Sequence, residues 1–414
     1  MTTDPAWISR MREVDWAALD YCHGKAKNVS ELIETIVSAD KETAAEACRT
    51  LQDELVNQAS LYSATYEAIP FLIEAAGAAA PALRPRVLKL VADILGSAIY
   101  WIEMAEGAGE LNQDLWSIEF VRRTWLGSEL FARFLHSESF VRFLHKDHHS
   151  LARITAAHLL GLLLTRGPAL APADQPGRYA AAVAALVERL RRKEPDEFAL
   201  SSVIFAIGRA AAHDLSLIEH LRKARTRPGI GDVTLVSVAL AVMKIDGGRH
   251  ADLEEVDLLI SAMWGAAETD GLFHLLGDKS RPMSPWIVGR LRFTLGEVLC
   301  AWSAGHDDRM ERVLPGLLTG VRLASGHTAE MDLGPLLQWL WPERKVRFGS
   351  DGSFKWPSPI TAGDMTAIAR RVLQACYENP RIWEPRTGNT ALAFRRVGLP
   401  ERRAGLKVLL DDTA

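Results

Sequence analysis

The chain has 414 residues, of which 48% are hydrophobic and 24% are charged, and its formal net charge is −4. This composition excludes disorder as the main state and supplies enough apolar side chains for a sizeable core. Apolar runs such as residues 159–164 fall far short of the roughly 20 residues that a membrane-spanning helix needs. The mildly acidic balance lacks the broad positive charge typical of nucleic-acid-binding proteins, so nucleic acid is not an expected partner.

The first residues, MTTDPAWISR, do not combine a basic segment with a following apolar segment, so we predict no secretory signal and expect a cytoplasmic protein. The cysteines indicate neither a metal site nor a disulfide framework. Cys22, Cys48, Cys300 and Cys376 lie too far apart for a CxxC motif and are too few for a disulfide scaffold of this size. They are predicted to be buried thiols.

Apolar residues recur with a helical period along nearly the whole chain. Steps of three or four residues connect Val288, Leu291, Leu295, Leu299 and Trp302, which places them on one side of a helix. The same steps occur within 154–164 and 235–245. Strict alternation is scarce, so the pattern predicts an all-α protein.

Capping residues and loops mark the helix boundaries. Side chains able to cap a helix precede apolar runs at Asn28, Asp40, Asp196 and Asp232. Segments rich in proline, glycine and polar residues predict loops at 167–177, 225–232, 278–285 and 342–363. In the last of these, KVRFGSDGSFKW has two short arms about a Gly-Ser-Asp-Gly turn, and this predicts a short hairpin within 343–357.

The predicted helices recur as irregular pairs. Small residues at comparable helix positions mark them at Ala47, Ala92, Ala156, Ala206, Ala239 and Gly296. The variable spacing excludes a fixed 34-residue tetratricopeptide period and favours a HEAT/armadillo-like α-solenoid of antiparallel helix pairs. We predict one domain over 1–414, which comprises an N-terminal repeat unit 14–77, a Trp-rich insertion at about 97–147, central repeats 148–341, a loop 342–360 and a C-terminal cap unit 361–414.

The two ends of the chain carry more specific patterns. Near the N-terminus the pattern consists of Trp16, Gly24, Gln58, Tyr62, Ala64, Thr65, Pro70, Phe71 and Leu72. Near the C-terminus it consists of Trp383, Gly388, Asn389, Gly398, Leu399 and Pro400. With these residues the chain resembles a group of bacterial HEAT-repeat proteins. The chain departs from the group at Asn57, Ala59 and Ser60, where the group has His, Gly and Thr. The resemblance covers about a quarter of the chain and implies a partner-binding protein, since some members look like immunity proteins.

Motifs that would indicate catalysis or a cofactor are missing. His145 and His149 have the i, i+4 spacing of a zinc site, but Lys146 stands where a metalloprotease has glutamate. We therefore expect Asp147 or Ser150 to cap a helix beginning near Leu151. The sequence also has no GxSxG, Walker lysine or HExxH motif, so no catalytic residue, metal or cofactor is expected.

Clusters of arginine occur at 188–195 and 395–403, where they could bind phosphate or an acidic partner. Glutamates are interleaved in both clusters, and both fall at predicted helix ends or turns. We predict solvated helix ends whose positive charge complements the helix dipole.

The binding site is predicted from aromatic and polar residues at an inter-helix junction. The candidate residues are Gln58, Tyr62, Thr65, Tyr66, Tyr100 and Trp101. In one interpretation Gln58 and Tyr62 face a concave groove and the insertion residues form its opposite wall, because tyrosine and tryptophan dominate binding energy at interfaces. In the other, the junction residues satisfy buried backbone groups. Pro70 is expected to restrict the first turn of the next helix or to kink it.

The favoured function is a non-enzymatic scaffold that holds a protein or peptide partner on its concave face. Two alternatives remain. One is a HEAT-like DNA glycosylase acting on alkylated bases, with Trp101, Trp116, Glu103 and Glu119 around the flipped base. The other is a scaffold that assists the biosynthesis of a small molecule or peptide.

Overall fold

The computed structural model describes residues 5–57, 59–108, 116–136, 148–171, 177–194, 196–264, 291–344, 346–348, 354–384 and 388–412. The described chain is mostly helical, and its few strands are two residues long, so the all-α prediction is confirmed. Residue contacts divide the chain into two compact units. One comprises the described residues up to Thr234, and the other those from Leu235 onward.

Unit 1 is built of short and medium-length helices, with α5 as the longest. Its helices are α1 (Ala6–Arg12), α2 (Val29–Ser38), α3 (Lys41–Leu55), α4 (Ser63–Ala78), α5 (Arg84–Ala108), α6 (Trp116–Thr124), α7 (Ser128–Leu135), α8 (His148–Leu164), α9 (Gly177–Arg191), α10 (Glu197–Ala211) and α11 (Leu217–Arg225). Helix α12 (Asp232–Lys244) crosses the boundary between the units. A 3₁₀ turn at Trp125–Gly127 connects α6 to α7.

Helices of unit 1 pack in two rows as well as in sequential pairs. In one row α3 contacts α5, α5 contacts α8, and α8 contacts α10. In the other row α2 contacts α4 and α4 contacts α6, while α7 contacts α9 and α9 contacts α11. Each of the helices α2 to α11 therefore contacts a sequence neighbour and at least one helix of its own row.

Unit 2 continues with α13 (Leu253–Trp264), α14 (Leu291–Ser303), α15 (Asp307–Leu323), α16 (Ala329–Leu340), α17 (Ala367–Glu378), α18 (Asn389–Arg395) and α19 (Arg403–Asp411). It also has two rows. Helices α13, α15, α17 and α19 contact one another in succession, and so do α14, α16 and α18.

The predicted helix faces are buried. Leu291, Leu295 and Leu299 are fully buried and Trp302 is 5% exposed, whereas Val288 lies outside the described residues. Cys48, Cys300 and Cys376 are buried thiols as predicted, while Cys22 is only half-buried.

The capping predictions have mixed outcomes. Asp40 and Asp196 each accept hydrogen bonds from two backbone N–H groups in the first turn of the following helix, which confirms both caps. Asn28 precedes α2, but its side-chain amide donates to Glu54 instead of capping. Helix α12 begins at Asp232 itself, one residue earlier than the predicted cap implies.

Helix α8 begins earlier than expected. It starts at His148, so Ser150 lies inside its first turn and does not cap it. The Ser150 hydroxyl instead donates to the carboxylate of Asp196, at the start of α10. The Ser150 alternative for the cap is therefore wrong. Asp147 lies outside the described residues.

Two short antiparallel hairpins accompany the helices. Strands β3 (Arg347–Phe348) and β4 (Phe354–Lys355) pair with Phe348 opposite Phe354, which confirms the predicted hairpin. The other hairpin, β1 (Asp20–Tyr21) with β2 (Gly24–Lys25), was not predicted. Its turn contains Gly24 at φ +126°, a backbone conformation that favours glycine.

Pro70 lies in the interior of α4, seven residues after the helix begins at Ser63. Of the two expectations for Pro70, the first-turn alternative is therefore wrong, and the kink stays a prediction. A proline ring cannot donate a backbone hydrogen bond, yet the helix continues to Ala78. Helix α5 passes through residue 97, the predicted start of the insertion, without a break. Among the helices that the structure describes, none is long and apolar enough to cross a membrane.

A buried ion triad connects α8, α9 and the segment before α10. The Glu194 carboxylate accepts from Arg153, with Nε to Oε2 at 3.0 Å, and from Arg189. The three side chains are only 4%, 2% and 6% exposed for Arg153, Glu194 and Arg189. The basic run at 188–195 therefore combines a buried internal pair with an exposed Arg192–Glu188 pair, and the prediction of solvated helix ends is only partly right.

The second basic run, at 395–403, is also engaged within the chain. Arg395 lies over the ring of Trp356 at 4.4 Å and pairs with Glu401, and Arg396 pairs with Glu330. Arg403 lies over the ring of Tyr377. These arginines therefore contact aromatic rings and carboxylates of the same chain and stabilise the C-terminal end of unit 2.

Candidate functional site

A groove of about 220 Å³ lies in unit 1 between the loop after α3, the C-terminal part of α5 and the start of α6. It is lined by Ser60, Leu61, Trp101, Trp116, Ser117 and Phe120. We call it the aromatic groove. Trp101 and Trp116 are 43% and 47% exposed, an unusual amount for side chains of this size.

The wall from α5 presents further exposed apolar side chains. Tyr100 and Met104 are 47% and 44% exposed, and the ring of Tyr100 packs edge-on to Trp101 with centroids 5.5 Å apart. Ile99 and Ile102 on the opposite side of the helix are buried. The core therefore fixes the helix that carries the exposed aromatic residues.

The loop wall is fixed to α5 by a direct hydrogen bond. The indole Nε1 of Trp101 donates to the backbone carbonyl of Ala59, at 2.7 Å. Ala59 has φ +62°, the left-handed region that favours glycine. Asn57 and Ser60 close the loop through an isolated antiparallel bridge. The predicted opposite walls thus touch each other on one side of the groove.

Tyr62, the residue before α4, belongs to a small polar cluster beside this loop. Its hydroxyl interacts with the side chains of Cys22 and Ser60, and Asn57 Nδ2 donates to Cys22 Sγ. Burial raises the pKa of the Tyr62 phenol above its ordinary value. Tyr62 is therefore a neutral hydrogen-bonding group at neutral pH.

Thr65 has an entirely local role. It is fully buried, and its hydroxyl donates to the backbone carbonyl of Leu55 at 2.7 Å and accepts from the backbone N–H of Tyr62. These bonds join the end of α3 to the start of α4, as expected for buried backbone groups that need partners. The structure does not bring Thr65 to the groove surface.

Tyr66 lies behind the groove, packed on α6. Its ring is 5.4 Å from that of Phe120, and the guanidinium carbon of Arg123 lies 3.9 Å from its centre. Arg123 also donates to the Tyr66 backbone carbonyl at 2.7 Å, and the phenol donates to Glu119 at 3.4 Å. Burial raises the pKa of the Tyr66 phenol, and the positive charge of Arg123 opposes that rise.

The charges around the aromatic groove are balanced in pairs. On α6, which carries Trp116 and Phe120, Arg122 lies 3.7 Å from Glu119 and Arg123 lies 3.2 Å from Glu67. These arginines therefore have local counterions and offer little net positive charge to a phosphate backbone. The surface is better suited to an uncharged or mixed-charge partner.

Some predicted residues lie outside what the structure describes. These are Gln58 and the cluster residues His145, Lys146 and Asp147, together with the side chains of His148 and His149. Among the side chains that are described, no group of three or more His, Cys, Asp or Glu residues is arranged to hold a metal ion.

The sequence interpretation missed Ser60, Leu61, Ser117 and Phe120 as lining residues, and it did not include Trp116 among its six candidate binding residues. Trp116 and Phe120 have the i, i+4 spacing of one helix face, and their rings are 5.4 Å apart. That spacing was available from the sequence. Their placement opposite residue 101 depends on the packing of α6 against α5, which the sequence pattern does not specify.

Comparison of the chain with protein-family models, with curated proteins and with solved structures finds no match.

Proposed function

We propose that this protein is a HEAT-like helical-repeat scaffold that binds a protein or peptide partner through the aromatic groove, without chemistry of its own. Sequential helix pairs that also contact their row neighbours are the packing expected of stacked repeats. The resemblance to the bacterial HEAT-repeat group supports this proposal. In that group glycine occupies the position of Ala59, whose left-handed backbone is the one that favours glycine.

The observation that carries the proposal is the exposed aromatic wall. Trp101, Trp116 and Tyr100 hold large apolar surfaces in water, beside a loop whose backbone is fixed by the Trp101 indole. Tryptophan and tyrosine are enriched among residues that dominate binding energy, and rigid side chains lose little entropy when a partner binds. An immunity-type role, in which the partner is a toxin, belongs to the same proposal.

The test is a selection of peptides from a random display library on the intact protein, followed by titration of the enriched peptides against variants. We expect Trp101→Ala and Trp116→Ala to weaken binding by at least about tenfold, corresponding to roughly 1.4 kcal/mol, because each truncation removes a groove wall. Leu215→Ala is the matched control, since Leu215 is also exposed in unit 1 but lies outside the groove lining.

Melting temperatures separate binding from folding. Tyr62→Phe tests the polar cluster, and it should retain the parental melting temperature if Tyr62 serves binding instead of structure. Peptides that bind the parent and both tryptophan variants equally would overturn the assignment of the groove. So would a selection that enriches no peptide for the parent.

The glycosylase alternative is tested by release of alkylated bases from duplex DNA. Trp101 and Trp116 do line one groove, as that alternative requires, but Glu119 is engaged by Tyr66 and Arg122. The paired arginines around the groove argue against a phosphate track. Base release that is lost in Glu119→Gln would replace the scaffold proposal. Assistance to biosynthesis would instead appear as selective binding of a small molecule in the same groove.

A further inference from the structure

A second groove lies within unit 2, between α15 and α17 and beside the end of α19, and it has a volume of about 330 Å³. Leu318, Ala375 and Leu410 form its apolar part, and Arg322, Arg370 and Arg371 line its polar part. This volume falls in the range of sites for small organic ligands. We call it the arginine groove.

Its arginines differ in how their charge is balanced. Arg371 pairs with Glu311 across the two helices, with Nη1 to Oε2 at 2.7 Å. Within the described part of the chain, Arg322 and Arg370 have no carboxylate within ion-pair distance. Other arginines of unit 2 do have one, as in the Arg312–Asp257 pair at 2.7 Å.

The acidic group in the lining is already engaged. Glu378 accepts a hydrogen bond from the side-chain amide of Gln374, at 2.7 Å, one helical turn away on α17. With Arg371 neutralised by Glu311, the lining still holds two guanidinium groups against one carboxylate. The net charge inside the groove is therefore positive although the whole chain is acidic.

We propose that the arginine groove binds an oxyanion, either a phosphate or a carboxylate, carried by a small organic ligand with an apolar body. Guanidinium groups bind these oxyanions through charge-assisted and often bidentate hydrogen bonds. Arg322 and Arg370 reach the groove from two different helices, so one anionic group between them would join α15 to α17. The apolar body would lie on Leu318, Ala375 and Leu410. This proposal does not depend on the function assigned to the aromatic groove.

The experiment measures ligand binding by calorimetry at constant ionic strength with three probes: phenyl phosphate, benzoate and inorganic phosphate. We expect phenyl phosphate or benzoate to bind the parent, and the better of the two identifies the anionic group. Inorganic phosphate should bind at least about tenfold more weakly, because it leaves the apolar part uncovered.

Variants assign the binding to the groove. Arg322→Gln and Arg370→Gln should each weaken binding of the better probe by at least about tenfold. Arg381→Gln is the matched control, because Arg381 is an exposed arginine of unit 2 outside the groove lining. Should either glutamine variant unfold, Arg322→Lys and Arg370→Lys retain the charge and should weaken binding by losing the planar donor pair.

Equal weakening in the Arg381→Gln control would show a nonspecific charge effect and overturn the proposal. The same conclusion follows if none of the three probes binds the parent below about 10 mM, an affinity too weak for a formed site.

Discussion

The indole nitrogen of Trp101 and the carbonyl oxygen of Ala59 are joined by a 2.7 Å hydrogen bond, which fixes the loop after α3 to the exposed side of α5. The residue that accepts this bond has a left-handed backbone at φ +62°. An alanine is held there in a conformation that costs an L-residue roughly 1 kcal/mol. The loop is thus stabilised by one contact and strained at the same position.

Ala59→Gly should stabilise the protein by up to about 1 kcal/mol, because glycine adopts positive φ without a steric penalty. Urea denaturation of the intact protein measures the change in the free energy of unfolding. Ala181→Gly is the matched control, since Ala181 is exposed inside α9, where the same substitution should destabilise by about 1 kcal/mol. Destabilisation by Ala59→Gly equal to that of the control would contradict the left-handed assignment.

Glu194→Gln should destabilise the protein by about 3–5 kcal/mol, because it removes the negative charge that Glu194 supplies to the buried guanidinium groups of Arg153 and Arg189. The thermal and urea transitions report this loss. Glu188→Gln removes an exposed partner of Arg192 and should change stability by less than about 1 kcal/mol. If both variants behave alike, the triad does not hold α8 and α9 together.

Leu295→Asp should cost about 3 kcal/mol or more, because it places an unpaired carboxylate at a fully buried position on α14. Leu253→Asp makes the same change at a leucine that is 55% exposed and begins α13. It should be nearly neutral, since an acidic side chain is favourable in the first helical turn. Comparison of the two melting temperatures checks the assignment of buried and exposed faces.

The pH dependence of stability should include a contribution from His158. Burial is the main cause that lowers the pKa of this histidine from 6.5 to about 3, with further lowering by the charges of Arg209 and Lys89. Below about pH 6.5 the unfolded chain takes up a proton that the folded protein does not, until the pH approaches about 3. The histidine therefore lowers stability as the pH falls through this window, by up to about 1.4 kcal/mol per pH unit.

His158→Gln should remove this part of the acid sensitivity, which urea denaturation at pH 7, 6 and 5 measures as a shallower decline. The exposed His23 provides the control, and His23→Gln should retain the parental slope. Parallel slopes for the parent and His158→Gln would show that His158 is not the group responsible.

Local sequence patterns predicted most of the helices. They failed where the role of a side chain depends on a contact with a residue that is distant in sequence. The buried face through Leu295 and the caps at Asp40 and Asp196 depend on residues close in sequence, and all were predicted. Ser150 looked like a local cap, but its hydroxyl is taken by Asp196, 46 positions away. For Pro70 the sequence left a first turn and a kink open, and the first turn is excluded because α4 already begins at Ser63.

In the candidate site, too, local sequence patterns identified some residues and missed those whose position depends on tertiary packing. Tyr100 and Trp101 were identified because tyrosine and tryptophan dominate binding energy at interfaces. Phe120 and Leu61 were missed, because nothing in their own segments shows that α6 and the loop after α3 converge on α5. The arginine groove also depends on tertiary structure, since Arg322 and Arg370 are separated by 48 positions and by the hairpin of β3 and β4.

Helix α5 carries both core residues and groove residues on one rigid segment of 25 residues. Ile99 and Ile102 are buried, while Tyr100 and Trp101 between them face water. Each residue of an α-helix is turned by about 100° from the last, so any rotation of α5 that repacks the isoleucines also moves the aromatic rings. A substitution such as Ile102→Val, at a residue that contacts no ligand, would therefore change the contacts between a bound partner and the aromatic rings. Substitutions at buried residues of α5 can thus alter the recognition surface during evolution.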